Sequence, residues 1–324
     1  MATKAIRVHS HGGPEVLRFE EIELPPPGAG EVRVRATAIG VNFIDTYHRT
    51  GLYPQPLPFT LGKEGAGVVE AVGEGVTLFV PGDRVASANL SGSYATEFNA
   101  PESVLVKVPD GISDETAAAM MLKGMTARCL LRRTFSVGAG HTILFHAASG
   151  GVGSIATQWA NHLGATVIGT VGSEEKAERA RRNGAHHTIL YRTEDFVARV
   201  AEITGGGKCD VVYDSVGATT WRGSLDCLKP LGLLVLFGQS SGPVKDFDPA
   251  LLAQKGSLFL TRPILFTYIA SRETLDETAN DLFDVVANGA VKIEIGARYA
   301  LGDAAEAHRD LEGRKTVGST VLIP

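Results

Sequence analysis

The spacing of apolar and polar residues in the first third of the chain is that of a β-rich segment. Apolar residues alternate with polar ones at positions 31–36 (EVRVRA) and follow one another at positions 66–72. Proline and glycine interrupt such runs at positions 25–28 (PPPG) and 80–85 (VPGDRV). Short strands separated by stiff turns are typical of a small barrel or sandwich. The first third is therefore predicted to be a β-rich domain.

The middle of the chain alternates between strand-like and helix-like periods. Apolar residues recur at helical spacing from Val152 to Leu163, directly after a β-type run at positions 142–145. Strand–helix alternation of this length predicts a parallel, doubly wound sheet. The further elements predicted here are strands at 166–171, 210–213 and 233–237 and helices at 174–182 and 219–228.

The last part of the chain, from about Arg262, mixes both periods. Helices are predicted near 273–287 and 303–311, and a closing strand at 320–323. The fold class is therefore α/β, with a β-rich domain and a doubly wound parallel-sheet domain. The predicted organisation is a first domain at 1–123, the parallel-sheet domain at 124–262 and a return to the first domain at 263–324.

A glycine-rich turn joins the first strand of the parallel sheet to the first helix. Its sequence at positions 147–153 is AASGGVG. Glycine lets a backbone approach a diphosphate closely, and the N-terminus of a helix carries partial positive charge. Gly153 would also allow close packing of the helix against the strand, whereas Ala148 takes the place of the first glycine of the usual fingerprint. The whole strand–turn–helix unit favours a dinucleotide over a turn without a ligand.

The end of the next strand indicates which dinucleotide is bound. NAD enzymes usually carry an acidic residue at this strand tip, but here Gly172 and Ser173 precede Glu174 and Glu175. Ser173 and Lys176 would suit a 2′-phosphate, with Ser173 also acting as a helix N-cap. The pattern predicts NADP(H), unless one of the two glutamates turns inward.

Composition and charge narrow the remaining classes of function and cellular location. The 324 residues are 44% hydrophobic and 21% charged, with a net charge of −5, which disfavours nucleic acid as the main partner. No apolar run is long enough to cross a membrane, and the N-terminal segment lacks the apolar core of a signal peptide. Three scattered cysteines without a C-x-x-C pair favour a cytoplasmic protein without disulfides.

Several motifs together resemble the medium-chain dehydrogenase/reductase superfamily, and more narrowly its zinc-free quinone oxidoreductase branch, related to zeta-crystallin. They are VNFIDTYHRTGLYP at 41–54, LGKEGAGVV at 61–69, AASGGVG at 147–153, YDSVG at 213–217 and the terminal GSTVLIP. The resemblance runs over essentially the whole chain. It implies a GroES-like first domain, an inserted Rossmann domain, NADPH as cofactor and a homodimer joined through the Rossmann sheets.

The resemblance also implies which residues contact the cofactor. Lys176, Tyr191 and Arg314 would surround the adenosine end, and Asn42, Phe237 and Pro263 would lie near the nicotinamide. The full set of implied contacts is Asn42, Thr46, Thr126, Gly150, Gly151, Val152, Gly153, Gly172, Ser173, Lys176, Tyr191, Ser215, Phe237, Gly238, Ser240, Pro263 and Arg314.

No metal is expected in the site. Zinc-dependent members of the superfamily have cysteine where this chain has Asn42 and histidine where it has Lys63. Zinc requires thiolate, imidazole or carboxylate ligands, which an amide and a protonated amine do not provide. Without a Lewis acid an alkoxide would not be stabilised, so alcohol dehydrogenation is disfavoured. A quinone is already electrophilic, and it is the preferred acceptor.

Three residues are predicted to form the acceptor pocket in the cleft between the domains. Asn42 would donate a hydrogen bond to a quinone oxygen or to the cofactor, and Tyr47 and Tyr53 would offer ring faces and hydroxyl groups. Simple packing of a loop near the cleft would explain the two tyrosines nearly as well as a role in the acceptor pocket. Water can protonate the product, so no general acid is assigned, and one-electron steps and hydride transfer both stay open.

Other functions remain as alternatives. Reduction of enones or alkenals would use the same site. The segment GQSSG at 238–242 fits the serine hydrolase pattern, with Ser240 as nucleophile and His308 downstream, but the predicted loop at 243–249 replaces the required helix. A structural, crystallin-like or RNA-binding role is disfavoured by the intact cofactor motif and the acidic balance.

Overall fold

The computed structural model describes residues 3–324 and divides the chain into two compact units. The first unit runs to Met125 and also includes Ala270–Ala287 and Ile293–Pro324, whereas the second comprises Thr126–Ile269 and Asn288–Lys292. The sequence pattern had placed the two main boundaries after residues 123 and 262. Within residues 3–324, no helix combines the length and the apolar character that a membrane span requires.

Residues 3–324 contain sixteen strands and ten α-helices. The strands are β1 Thr3–Val8, β2 Leu17–Ile22, β3 Glu31–Val41, β4 Phe59–Thr60, β5 Glu64–Val72, β6 Arg84–Ser87, β7 Glu97–Pro101, β8 Val106–Lys107, β9 Thr142–His146, β10 Thr166–Val171, β11 His187–Leu190, β12 Cys209–Asp214, β13 Leu228–Leu236, β14 Phe259–Thr261, β15 Ile295–Ala300 and β16 Ser319–Ile323. The helices are α1 Phe43–Thr50, α2 Asp114–Cys129, α3 Gly151–His162, α4 Glu174–Arg182, α5 Phe196–Ile203, α6 Trp221–Asp226, α7 Ala250–Gln254, α8 Leu265–Tyr268, α9 Arg272–Ala287 and α10 Ala304–Glu312.

The first unit is built on two sheets. The smaller sheet has the order β2-β1-β4, and the larger has the order β15-β16-β3-β5-β6-β8, with β7 paired to β3. Strand β3 is longer than the predicted 31–36 and runs to Val41, because Ala38–Val41 is apolar and pairs with β5 and β16. Val32, Val34 and Ile39 are buried in the core of this unit together with Leu322 from the last strand. The return of the chain thus completes the first core.

The second unit is a six-stranded parallel sheet with the order β11-β10-β9-β12-β13-β14. Counted from β9, this is the 3-2-1-4-5-6 order of dinucleotide-binding folds. Leu144, Ile168, Val212 and Leu234 of the four central strands are buried together, as expected for a parallel sheet covered on both faces. The order reverses at β9, so a crevice for a ligand lies beyond the carboxyl ends of β9, β10 and β12.

Some elements differ from the sequence-based prediction. Strand β13 begins at Leu228, ahead of the predicted 233, although Pro230 and Gly232 interrupt the apolar pattern and Leu231 has a φ of 63°. Helix α6 is correspondingly shorter than predicted. Helix α2 was not predicted because its residues 117–121 (AAAMM) are all buried, so the helix has no polar face that would reveal its period.

Candidate functional site

The turn after β9 has the geometry of a diphosphate cradle. Ala147 has a φ of 55°, and Gly150 is the N-cap of α3. A Cβ atom on Gly153 would lie 2.2 Å from the carbonyl oxygen of Ala147, so only glycine lets the helix begin this close to the turn. The first N–H groups of a helix lack intrahelical acceptors. The turn therefore presents donors and the positive end of α3 to an anion.

The end of β10 forms the second part of this site. The Ser173 hydroxyl caps α4 by accepting from the Lys176 N–H group at 3.4 Å. Glu174 is exposed and forms an ion pair with Arg181, so its carboxylate is directed along the helix surface. Glu175 is exposed as well. These positions remove the alternative of an inward-turned glutamate and leave Ser173 and Lys176 at the strand tip.

Two further residues lie against this strand tip. A Cβ atom on Gly172 would be 2.9 Å from the Tyr191 hydroxyl and 3.4 Å from Nε of Arg192. Tyr191 was among the implied cofactor contacts, whereas Arg192 was missed. Arg192 lies ten residues beyond the end of α4, in the turn after β11, so no spacing rule connected it to Ser173. Its guanidinium is suited to a phosphate group.

The loops after β12 and β13 contact each other beside the same edge. Ser240 N–H donates to the Ser215 carbonyl at 3.2 Å, and a Cβ atom on Gly238 would lie 2.6 Å from that carbonyl. The Phe237 ring packs 5.6 Å from Phe145 of β9. The structure therefore brings together Ser215, Phe237, Gly238 and Ser240, four of the residues implied by the resemblance.

Asn42 in the first unit is held by a buried carboxylate. Its Nδ2 donates to Glu64 Oε2 at 2.7 Å and to the Gly40 carbonyl at 3.4 Å. Because a carboxylate only accepts, this contact fixes the orientation of the amide. Both amide hydrogens are engaged within the protein, and the Asn42 side chain also takes part with Asp45 in the capping box that begins α1. The donor role expected from the sequence would compete with these two hydrogen bonds.

Glu64 is fully buried and accepts from three groups. Besides Asn42, the Lys123 ammonium lies 2.8 Å away and the Leu122 N–H group 2.7 Å away. A Cβ atom on Gly40 would be 2.1 Å from Glu64 Oε2, so glycine is required for this approach. A buried charge is tolerated only when it is paired and hydrogen-bonded, as it is here. Lys123 thereby provides the positive charge beside Glu64.

A second chain of buried hydrogen bonds holds helix α1. Arg49 Nη1 donates to His308 Nδ1 at 3.0 Å, so the His308 proton is on Nε2, which donates to the Tyr94 hydroxyl at 3.1 Å. Tyr94 in turn donates to Asp45 Oδ2 at 3.1 Å, and the same oxygen accepts the N–H of Asn42 at 2.8 Å. The chain ties both ends of α1 to α10.

Burial shifts the pKa values of the titratable groups in this chain. The pKa of Asp45 is raised to about 7 by desolvation, and that of His308 is lowered to about 3 by desolvation and the nearby Arg49 charge. Burial also lowers the pKa of Lys63, against the opposing effect of Asp45. His308 is therefore neutral at physiological pH, in the tautomer that the hydrogen bonds require.

The remaining acceptor-pocket residues lie on α1 and in the loop that follows it. The rings of Tyr47 and Tyr53 meet edge to face with centroids 5.3 Å apart, and Tyr53 N–H donates to the Tyr47 carbonyl.

The other implied cofactor contacts are spread over both units. Thr46 is buried and donates to the Phe43 carbonyl at 2.7 Å. Thr126 and Pro263 are partly buried in the second unit, and Arg314 is exposed in the first unit with a φ of 57°.

The described residues do not form the side-chain arrangements that a metal site or a serine hydrolase requires. Among residues 3–324, no group of three or more histidine, cysteine, aspartate or glutamate side chains is arranged to hold a metal ion. The segment after Ser240 is a loop up to Pro249, and both nitrogens of His308 are engaged by Arg49 and Tyr94. Neither the helix nor the available histidine of a serine hydrolase is therefore present in this part of the chain.

Comparison with known proteins gives matches over the whole chain. Two family models match, the alcohol dehydrogenase GroES-like domain at residues 28–110 and zinc-binding dehydrogenase at residues 151–284. A quinone oxidoreductase of Pseudomonas aeruginosa is 54% identical over 99% of this chain and 99% of that protein. A crystal structure of Escherichia coli quinone oxidoreductase complexed with NADPH has a TM-score of 0.98 and 50% identity, covering 100% of both chains. A 2-haloacrylate reductase of a Burkholderia species is 48% identical over 98% of each chain.

We predict that His308→Gln reduces the acid sensitivity of folding. Unfolded histidine binds a proton near pH 6.5, whereas His308 in the folded chain does so only near pH 3, so stability is lost as the pH falls below 6.5. Between pH 7 and pH 4 the wild type should lose on the order of 2–3 kcal/mol more unfolding free energy than the variant. Urea denaturation at both pH values measures this, with exposed His162→Gln as the control. Equal losses in wild type and His308→Gln would contradict the assignment.

Proposed function

The chain belongs to the quinone oxidoreductase family, and from this premise we propose that it reduces quinones with NADPH at a site without a metal ion. The observation that carries the proposal is the glycine turn at 147–153, which begins α3 at the point where the strand order reverses. A bound NADPH supplies reducing equivalents from its nicotinamide ring, as a hydride or as successive electrons. The protein binds and orients the two reactants.

The preference for NADPH over NADH is supported by the strand tip after β10. Ser173 and Lys176 lie at the strand tip, where a hydroxyl and an ammonium group suit a 2′-phosphate, and Arg192 lies next to Gly172. Glu174 is engaged with Arg181 on the helix surface, so no carboxylate takes the place that would bind a ribose 2′-hydroxyl. The quinone oxidoreductase of Escherichia coli was crystallised with NADPH.

We propose that Asn42 contacts the cofactor through its Oδ1, because both amide hydrogens are engaged within the protein. A quinone oxygen only accepts hydrogen bonds, and so does Oδ1 of Asn42, which cannot donate. Asn42 therefore suits a cofactor donor, either the carboxamide of nicotinamide or a ribose hydroxyl. Tyr47 and Tyr53 are our candidates for the acceptor side, since their rings form an apolar surface and their hydroxyls are donors.

A metal-free reaction is supported by the chemistry at the positions where zinc-dependent members have ligands. Asn42 donates its amide hydrogens to Glu64 and Gly40, and Glu64 is paired with Lys123. An oxidised quinone is electrophilic without a Lewis acid, and the reduced oxygen can take a proton from water. Electron-poor alkenes share this property, and the 2-haloacrylate reductase relative supports enone or alkenal reduction as the alternative activity.

We also propose a cytoplasmic homodimer. Strand β14 is the edge of the parallel sheet, and Phe259 on it and Ile264 beyond it are 59% and 60% exposed. An exposed strand edge with apolar side chains favours pairing with a second copy. The three cysteines are buried and form no disulfide, which suits a reducing compartment.

The purified chain should oxidise NADPH in the presence of 1,4-benzoquinone or 1,4-naphthoquinone, and more slowly with NADH. Activity should be unchanged after exhaustive chelation, because Asn42 and Lys63 take the places of the zinc ligands of zinc-dependent members. The measurement is loss of absorbance from the reduced nicotinamide with a panel of quinones, enones and alkenals. Turnover of enones alone would favour the alternative activity, and failure to bind either nucleotide would refute the proposed function.

Lys176→Ala and Arg192→Ala should each weaken NADPH binding about tenfold or more, because each removes a positive charge near the 2′-phosphate. NADH affinity should change less than about twofold, since NADH has no phosphate there. Titration of both nucleotides by fluorescence measures the difference. Equal weakening of NADPH and NADH by either variant would show that the residue does not bind the 2′-phosphate.

Phe259→Asp should convert the proposed dimer to a monomer, because it places a charge in the paired sheet edge. Sedimentation velocity of wild type and variant measures the change. Val80→Asp is the matched control, since Val80 is 61% exposed in the first unit and should leave the dimer intact. A monomeric wild type, or a dimeric Phe259→Asp variant, would rule out this interface.

A further inference from the structure

Four buried polar side chains form a cluster at the carboxyl edge of the parallel sheet. They are His146, Thr170, Asp214 and Ser224, and none is more than 1% exposed. We call them the His146 cluster. None of them was among the residues predicted to contact the cofactor. Such groups are stable in a protein interior only when their hydrogen bonds are satisfied.

The direction of each hydrogen bond in the His146 cluster can be assigned. The Ser224 hydroxyl donates its one proton to Asp214 Oδ2 at 2.8 Å, so its oxygen accepts from His146 Nε2–H at 3.0 Å. His146 Nδ1 is then unprotonated and accepts from the Thr170 hydroxyl at 2.9 Å. Burial lowers the pKa of His146, against the opposing effect of Asp214, which keeps this neutral form.

Three members of the His146 cluster lie at the ends of the three strands that border the crevice, and Ser224 is on α6. His146 is the last residue of β9, Thr170 is the last but one of β10, and Asp214 is the last of β12. Asp214 Oδ1 also accepts from the N–H groups of Val216 and Gly217 at 2.8 and 3.0 Å. Asp214 therefore fixes the loop that follows its own strand.

Each of these strand ends leads directly into a loop of the proposed cofactor site. His146 precedes the glycine turn, Thr170 precedes the segment with Gly172 and Ser173, and Asp214 precedes Ser215. Main-chain pairing sets the register of the strands but leaves the direction of the departing loops open. The imidazole ring is bonded to β10 on one side and, through Ser224 of α6, to β12 on the other. It therefore fixes the ends of the three strands relative to each other.

We infer that His146 is a positioning residue for NADPH, which sets cofactor affinity by holding three loops together without contacting the cofactor. The inference rests on the proposed function, because it assumes that these loops bind NADPH. Each loop supplies groups to one extended ligand, so a small displacement of any one loop weakens binding by all of them. The assigned tautomer makes the role specific: the residue must accept on the β10 side and donate on the α6 side.

The test compares variants that break the His146 cluster at different bonds. His146→Leu removes both hydrogen bonds, Ser224→Ala removes the bonds from His146 Nε2–H and to Asp214 Oδ2, and Thr170→Val removes only the bond to Nδ1. His146→Gln retains one acceptor and one donor. The NADPH dissociation constant is measured by fluorescence titration, and the melting temperature of the cofactor-free protein is measured for each variant.

A matched control removes a hydrogen bond between β9 and β12 at the opposite, amino-terminal edge of the sheet. Asp210 of β12 accepts from the N–H of Thr142 at the start of β9 at 2.8 Å. Asp210→Ala therefore loosens β9 and β12 at their amino ends, away from the loops. It should lower the melting temperature and leave the dissociation constant of NADPH within about twofold of wild type.

His146→Leu and Ser224→Ala should raise the dissociation constant about tenfold, and Thr170→Val about threefold, with His146→Gln closer to wild type than His146→Leu. The turnover number at saturating NADPH should change less than the KM for NADPH. Wild-type affinity in His146→Leu or Thr170→Val would overturn the inference, as would equal weakening by Asp210→Ala. A wild type that does not bind NADPH would instead refute the proposed function.

Discussion

The close approach of backbone to backbone at the end of β9 is the constraint on which the site in the second unit depends. A helix whose N-terminus is to face a diphosphate must begin directly at the strand end, and at Gly153 the space for a side chain is taken by the Ala147 carbonyl. Parallel pairing of β9 with β10 and β12 then brings the other strand ends to the same edge. The anion site follows from chain geometry, and side chains refine it.

In the first unit, the main constraint is the burial of a carboxylate. Glu64 is fully buried and stabilised by Lys123, Asn42 and the Leu122 N–H group. Zinc-dependent members of the superfamily have metal ligands at the positions of Asn42 and Lys63. Here an ammonium group provides the positive charge and an amide links the carboxylate to α1. The arrangement orients Asn42.

The period of the apolar residues was sufficient to predict the parallel sheet and several of its elements. Strand β10 and helix α4 have the predicted bounds, because each has a clear period and a polar or glycine boundary. Helix α2 was missed because its residues 117–121 are all buried and show no alternation of apolar and polar positions. The resemblance to a known family added the kind of fold expected for each domain, and full-length relatives at about half identity confirm that family.

The site was predicted less completely, since its supporting contacts join residues far apart in the chain. Asn42 and Glu64 are 22 residues apart and Tyr94 and His308 are 214 apart, and no local spacing rule connects such pairs. Arg192 was missed for the same reason, because it reaches Gly172 from the turn after the next strand. Local patterns reveal the groups that a loop offers to a ligand, but they do not reveal which distant group holds that loop.

Both units use a buried neutral histidine to connect their elements. His146 and His308 each carry the proton on Nε2 and accept on Nδ1, and burial lowers the pKa of both. An imidazole that stays neutral keeps one donor and one acceptor in fixed directions, so its partners cannot exchange roles as the pH changes within the physiological range. A charged histidine would donate on both sides and would break the bond from Arg49 or from Thr170. Burial of these rings thus serves to preserve the direction of the hydrogen bonds that position the loops and α1.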